Sequence, residues 1–161
     1  MKLATVEQTR AFGRRLAGIL RAGDLILLTG PLGAGKTALV QGIGAGLGVA
    51  GAITSPTFVI ARVHQGAVPL VHADAYRLGD RPDPRAEIDD LDLDASAEDA
   101  VTVVEWGAGL VERLNDEYLQ VRIDRLDDDT RVIGLVPHGG DWATRLGRLE
   151  SATDWRDHEP A

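Results

Sequence analysis

The chain contains no cysteine, which rules out a disulfide framework and any thiolate metal site. Its four histidines, at 64, 72, 138 and 158, are not spaced like zinc ligands. No apolar run approaches the roughly 20 residues that cross a bilayer, and residues 1–15 lack the apolar block of a signal peptide. A cytoplasmic protein with no membrane partner is the expectation. Lysine is scarce as well: of 17 basic residues only Lys2 and Lys36 are lysine, and Lys2 is terminal. Aromatic residues make up 4% of the chain, so a core must be built from aliphatic side chains.

What the chain has in excess is acid. Its formal net charge is −8, and residues 80–99 alone hold nine carboxylates against Arg81 and Arg85. A protein that grips RNA or DNA unaided needs the opposite sign, so direct, high-affinity nucleic-acid binding is not expected. Within that stretch Asp90-Leu91-Asp92-Leu93-Asp94 opens like a calcium loop. Ala95 then stands where glycine is required and Val101 where a glutamate is, so the segment reads as solvated surface. At 161 residues the chain has the length of one domain with a proper core.

One stretch organises the rest. Gly30-Pro31-Leu32-Gly33-Ala34-Gly35-Lys36-Thr37 fits G-x-x-x-x-G-K-[ST], the phosphate-cradling P-loop, without a mismatch. Asp24–Thr29 before it reads as a buried strand, and Thr37–Leu47 after it as a helix. Such a unit aims backbone N–H groups and the positive end of a helix dipole at one point. Gly30, Leu32, Gly33, Ala34, Gly35, Lys36, Thr37 and Ala38 are the expected nucleotide contacts. Lys36 reaches the β- and γ-phosphates, and the Thr37 hydroxyl ligates Mg²⁺. Small GTPases read guanine with Asn-Lys-x-Asp; the single asparagine here, Asn115, is followed by Asp116, so ATP is favoured over GTP.

Around this unit the pattern alternates between helix and strand. Val6–Leu20 has helical spacing, with Thr5 as N-cap and Gly23 as stop. The run Gly42, Gly44, Gly46, Gly48 marks close packing or a frayed helix end. Thr54–Phe58 is a loop entering a strand, and Val68–Ala73 is a strand that delivers Asp74 at its end. Ala100–Val104 is an apolar, β-branched run closed by Glu105-Trp106. Tyr118–Ile123 and Arg131–Val136 flank Asp127-Asp128-Asp129 as a hairpin at the sheet edge. A short helix fits residues 141–150. These elements predict an α/β fold of the P-loop NTPase type, a mostly parallel sheet flanked by helices with an antiparallel edge hairpin. Residues 1–140 form the P-loop ATPase domain in this reading, and 141–161 a C-terminal helix and tail.

A P-loop needs an acidic partner for Mg²⁺ at the end of a neighbouring strand, and Asp74 and Glu105 both qualify. Ser55 and Thr57 offer hydroxyls to the γ-phosphate or the metal, as a switch segment does. His72 is either a general base or a strand histidine satisfied by its neighbours, and Trp106 either stacks on the nucleotide or packs.

Four stretches taken together, Gly30–Thr37, Ser55-Pro56-Thr57-Phe58, His72-Ala73-Asp74-Ala75-Tyr76-Arg77-Leu78 and Val104-Glu105-Trp106, resemble the TsaE (YjeE) family of small bacterial P-loop ATPases. The resemblance covers about residues 5 to 125. It implies an ATPase needed for the threonylcarbamoyl modification of adenosine 37 in tRNAs that read codons beginning with A. It also implies that the ATPase acts on a complex of the TsaB and TsaD subunits. By position it implies that Lys36 binds phosphate, Thr37 and Glu105 bind Mg²⁺, and Asp74 is the carboxylate needed for hydrolysis. It makes Thr57 a γ-phosphate-sensing switch residue and places Thr9 near the base. Pro31 stands where many members carry an acidic residue, and Gly107 where a proline is common; neither is a proposed ligand. Two other readings stand beside this one. A small-molecule kinase needs an arginine-bearing lid, but the only lid-like segment, 79–99, is acidic. A nucleotide-switched binding module would need Lys36 but neither Asp74 nor Glu105.

Overall fold

The structure, a computed structural model, describes residues 1–31, 34–50, 53, 61–74, 99–105 and 116–151. Seven strands form one sheet: β1 (Lys2–Leu3), β2 (Leu25–Thr29), β3 (Ala61–His64), β4 (Leu70–Asp74), β5 (Val101–Glu105), β6 (Tyr118–Arg125) and β7 (Arg131–His138). Among the described residues there are three helices, α1 (Val6–Ala17), α2 (Lys36–Gly46) and α3 (Trp142–Ser151). The strand order is β1-β7-β6-β2-β5-β4-β3. The four central strands, β4, β5, β2 and β6, are parallel, while β3, β7 and β1 add antiparallel edges. The expected parallel centre and edge hairpin are both present.

The centre is parallel because its strands are apolar on both faces. From β2, Ile26 and Leu28 join the main core cluster with Val103, Leu70, Val121 and Ile123, beneath Phe12, Leu16, Leu39 and Ile43 of α1 and α2. Leu25, Leu27, Val71, Ala73 and Val104, which point to the opposite face, are buried too. A sheet apolar on both sides must be covered on both sides, the usual condition of parallel strands. β6 changes character along its length: Leu119, Val121 and Ile123 are buried, while Arg122, Asp124 and Arg125 are exposed. It then turns back at Leu126–Thr130 into β7, with Asp129 at a φ of 66° and a Thr130 N–H bonded to the Asp128 carboxylate.

α1 begins where its sequence predicts. Thr5 accepts a hydrogen bond from the Gln8 N–H at 3.1 Å, and the Gln8 side chain accepts from the Thr5 N–H, a reciprocal capping box. The helix ends three residues earlier than the periodicity predicts. Gly18 donates to Arg15 O, and Ile19 and Leu20 continue in tighter i→i+3 turns, so their apolar side chains still reach the core. The glycines in α2 serve close packing rather than fraying. A Cβ on Gly13 would lie 2.5 Å from Leu39 O, and one on Gly42 would lie 2.1 Å from Arg10 O, so the backbones of α1 and α2 all but touch.

α3 is built into the same core through Trp142, Leu146 and Leu149. It is fastened to the start of β2 by a buried fork. Arg145 donates to both oxygens of Asp24, at 2.6 and 2.9 Å, and to Ile19 O at 3.0 Å, with its guanidinium 3.8 Å over the Trp142 ring. Asp24 also accepts from the Arg21 N–H at 2.7 Å. Burial works to lower the Arg145 pKa, but hydrogen bonding and charge from Asp24, then Asp141, outweigh it and raise it. No helix among the described residues is long and apolar enough to cross a membrane.

Candidate nucleotide-binding site

β2 is the platform for the site. The chain leaves it through Gly30, at a φ of 151°, where a Cβ would stand 2.1 Å from the Ile123 carbonyl oxygen of β6. Only glycine fits there. A turn closed by the Ala34 N–H on Pro31 O then leads to Gly35, which starts α2 with a φ of 105° and no side-chain cap. The N-cap residue therefore offers no side chain to compete with an anion for the first N–H groups of α2, and the positive end of the helix dipole lies behind them.

Lys36 is the first residue of α2 and is buried. Its ammonium donates to Gly30 O at 2.6 Å and Pro31 O at 3.2 Å. The cation thus ties the entrance of the loop to its exit, and α2's first turn carries no acidic residue to neutralise it. Ala34 and Ala38 are buried and Thr37 is half-buried beside them.

The adjacent strand supplies the carboxylates. In register, β5 places Glu105 beside Leu28, one residue short of the end of β2, and β4 places Asp74 beside Glu105. Glu105 is 5% exposed, so its carboxylate is held at the end of a buried strand. A charge in that position is costly unless it is paired or on a metal. Its partner is His72, fully buried, whose Nε2 lies 3.2 Å from Glu105 Oε2. That distance makes a contact, although the ring is not aligned as a hydrogen-bond donor. Mg²⁺ takes hard oxygen donors and keeps several waters, so one carboxylate and one hydroxyl beside a phosphate site fit it.

The structure thus brings Gly30, Ala34, Gly35, Lys36, Thr37, Ala38 and Glu105, with the backbone of Asp74, to one edge of the sheet. Thr9 is engaged elsewhere: it is buried in α1 and its hydroxyl donates to Thr5 O at 3.3 Å. Leu32, Gly33, Ser55, Thr57, Arg77 and Trp106 lie outside the described residues, as does the side chain of Asp74. One neighbour of the loop escapes the sequence reading. Arg131, at the start of β7, puts its Nε 3.0 Å from the position of a Gly35 Cβ. In the sequence it is only the first residue of a strand. The signal was its place on the return of a hairpin whose first strand pairs with β2.

Comparison with known proteins gives the family and supports the fold. A family model described as threonylcarbamoyl adenosine biosynthesis protein TsaE matches residues 3–133. The tRNA threonylcarbamoyladenosine biosynthesis protein TsaE of Streptomyces coelicolor is 56% identical over 142 residues, covering 84% of this chain and 94% of that one. The protein of the same name from Mycobacterium tuberculosis is 52% identical over 137 residues, 81% of this chain and 82% of that one. The one from Bacillus subtilis is 40% identical over 135 residues, 83% and 82% of the two chains. Among solved structures, the crystal structure of Bacillus subtilis YdiB superposes with a TM-score of 0.79 at 29% identity, covering 96% of this chain and 95% of that one.

Proposed function

The chain belongs to the TsaE family of threonylcarbamoyl adenosine biosynthesis proteins, and from that premise we propose that it is the ATP-hydrolysing subunit of a tRNA-modifying assembly. In this reading it acts in the cytoplasm on a TsaB–TsaD complex that installs threonylcarbamoyl on adenosine 37. The observation that carries the ATPase part is the pairing of Lys36, folded into an uncapped glycine loop, with a buried Glu105 on the next strand.

The chemistry asked of the chain is positioning and charge stabilisation. The loop N–H groups and the Lys36 ammonium hold the β- and γ-phosphates in line. Thr37 and Glu105 would hold Mg²⁺, which would supply positive charge against the charge developing on the transferred phosphoryl group. Asp74 accepts a hydrogen bond from the attacking water and orients it toward the γ-phosphorus, and Thr57 contacts the γ-phosphate. The water oxygen forms the new P–O bond as the β–γ bridge breaks, its electron pair leaving with ADP. Arg131 lies beside Gly35, and Arg77, outside the described residues, is the other internal candidate for an arginine over the phosphates. Turnover by the chain alone is slow in this reading, and the partner completes the site. The net negative charge of the chain leaves tRNA contacts to that partner.

The test is ATP hydrolysis by the purified chain with and without its TsaB–TsaD partners, with a tRNA titration of the isolated chain alongside. The expected rate alone is on the order of 10⁻² per second or lower, rising when the partners are added, with no tight tRNA binding. Turnover of tens per second alone, or no response to the partners, would sink the proposal.

A further inference from the structure

His72 takes no part in the steps above, yet it is the most enclosed titratable group in the described chain. It sits in the middle of β4 with no exposed surface. The register pairs His72 with Val103 and Asp74 with Glu105, so Glu105 lies diagonally across from His72, two residues along the same face. Among the described residues, His72 is the polar side chain in contact with the Glu105 carboxylate. The surrounding positions, Leu70, Val101, Val103 and Leu28, are apolar and buried.

The identity of this partner matters. Asp24, the other buried carboxylate among the described residues, is gripped through both oxygens by an arginine. An arginine beside Glu105 would cancel its charge and occupy the face a cation needs. The His72 imidazole meets the anion at a single point, its Nε2 3.2 Å from Oε2. The geometry points to His72 as a positioning residue. Its buried ring, in contact with one oxygen of Glu105, limits how that carboxylate can turn, so that the other oxygen is presented in a set direction to the divalent cation that accompanies the nucleotide. Hydrogen-bond partners of metal-ligating carboxylates typically matter tenfold to a hundredfold in metal affinity. This inference rests on Glu105 being the metal ligand, as proposed above.

The test separates metal affinity from nucleotide affinity. A fluorescent ADP analogue is bound to the full chain over a range of Mg²⁺ concentrations, and again in EDTA. His72→Ala is expected to raise the Mg²⁺ needed for half of its effect by about 10- to 100-fold. Affinity in EDTA should stay within about twofold of wild type, because the P-loop itself is untouched. His72→Gln, whose carboxamide can still donate, should recover most of the loss. An unchanged Mg²⁺ requirement, or an equal loss in EDTA, overturns the inference. Should His72→Ala not fold, the wild-type nucleotide complex decides it. Adding Mg²⁺ at fixed pH should shift the ¹⁵N resonance of the His72 ring, assigned by its loss in His72→Gln, and an unmoved resonance overturns the inference. Failure of the underlying reading looks different. Then Glu105→Gln leaves the Mg²⁺ dependence of the wild type intact.

Discussion

The two ends of β2 carry polar clusters built on opposite plans. At the N-terminal end, Asp24 is held by Arg145 and the Arg21 N–H, and Arg145 divides its donors among Asp24, Ile19 O and Asp141. Each charge there has its partner in the chain. At the C-terminal end, the Thr29 hydroxyl is buried without an aligned partner, as are both ring nitrogens of His72, which lies on β4 two residues behind the level of Glu105. α2 begins without a side-chain cap, and Lys36 donates to the loop carbonyls Gly30 O and Pro31 O. Buried polar groups are normally satisfied, and those that are not call for an explanation. A cluster closed on itself holds the fold together. One left open keeps its donors and charges for a ligand.

That contrast is most exposed at Lys36. Arginine keeps the charge, but its planar fork does not match a compact ammonium seated between Gly30 O and Pro31 O. Lys36→Arg is expected to cut ATP turnover by about a hundredfold or more, the scale of losing one preorganised donor. The melting temperature should change little. Near-normal hydrolysis in this variant would remove the ground for calling this end of β2 the functional one.

The opposite signature is expected at Asp24. Asp24→Ala strands a buried guanidinium, a change that costs about 3–5 kcal/mol in comparable sites. Nucleotide affinity of the folded protein should be unchanged. Replacing both partners, Asp24→Leu with Arg145→Met, should restore stability to wild type or better, since a buried ion pair seldom outperforms apolar packing. Denaturant titration measures both variants. Should Asp24→Ala instead spare stability and weaken nucleotide binding, the two ends would not divide the work as described.

What the sequence could show of these two ends differs for a physical reason. The P-loop is local: eight consecutive residues set its glycine geometry, its lysine and its helix start, so Gly30, Gly35 and Lys36 are legible from their spacing. The Thr5–Gln8 cap and the Asp127–Asp129 hairpin turn are local in the same way, and both are found as expected. The Asp24–Arg145 fork joins residues 121 positions apart, and nothing in either neighbourhood names the other. The same holds for Gly13 against Gly42, where the glycine run announces close packing but not the partner helix. Glu105 stands between these cases. Its place at the end of an apolar strand is visible in sequence, whereas the imidazole behind it depends on the β4–β5 register.

The smallest expected effect lies at the rim of the closed cluster, where Asp141 meets Arg145 and Arg21 at 3.1 Å while its own side chain remains 46% exposed. Desolvation works to raise the Asp141 pKa, but the charges of Arg145 and then Arg21 outweigh it and hold the carboxyl below its ordinary value. A folded-state pKa lower than the unfolded one means that the unfolded chain binds the proton first. The stabilisation is therefore complete above the unfolded value of about 3.9 and is lost as pH falls through the lower folded value. Asp141→Asn should lower the melting temperature slightly near neutral pH, and the gap from wild type should close in acid below about pH 4. Salt should narrow the same gap, because an exposed pair is screened. A gap that persisted in acid would mean that Asp141 contributes through the geometry of the α3 start rather than through charge. The closed cluster would then end at Asp24 and Arg145.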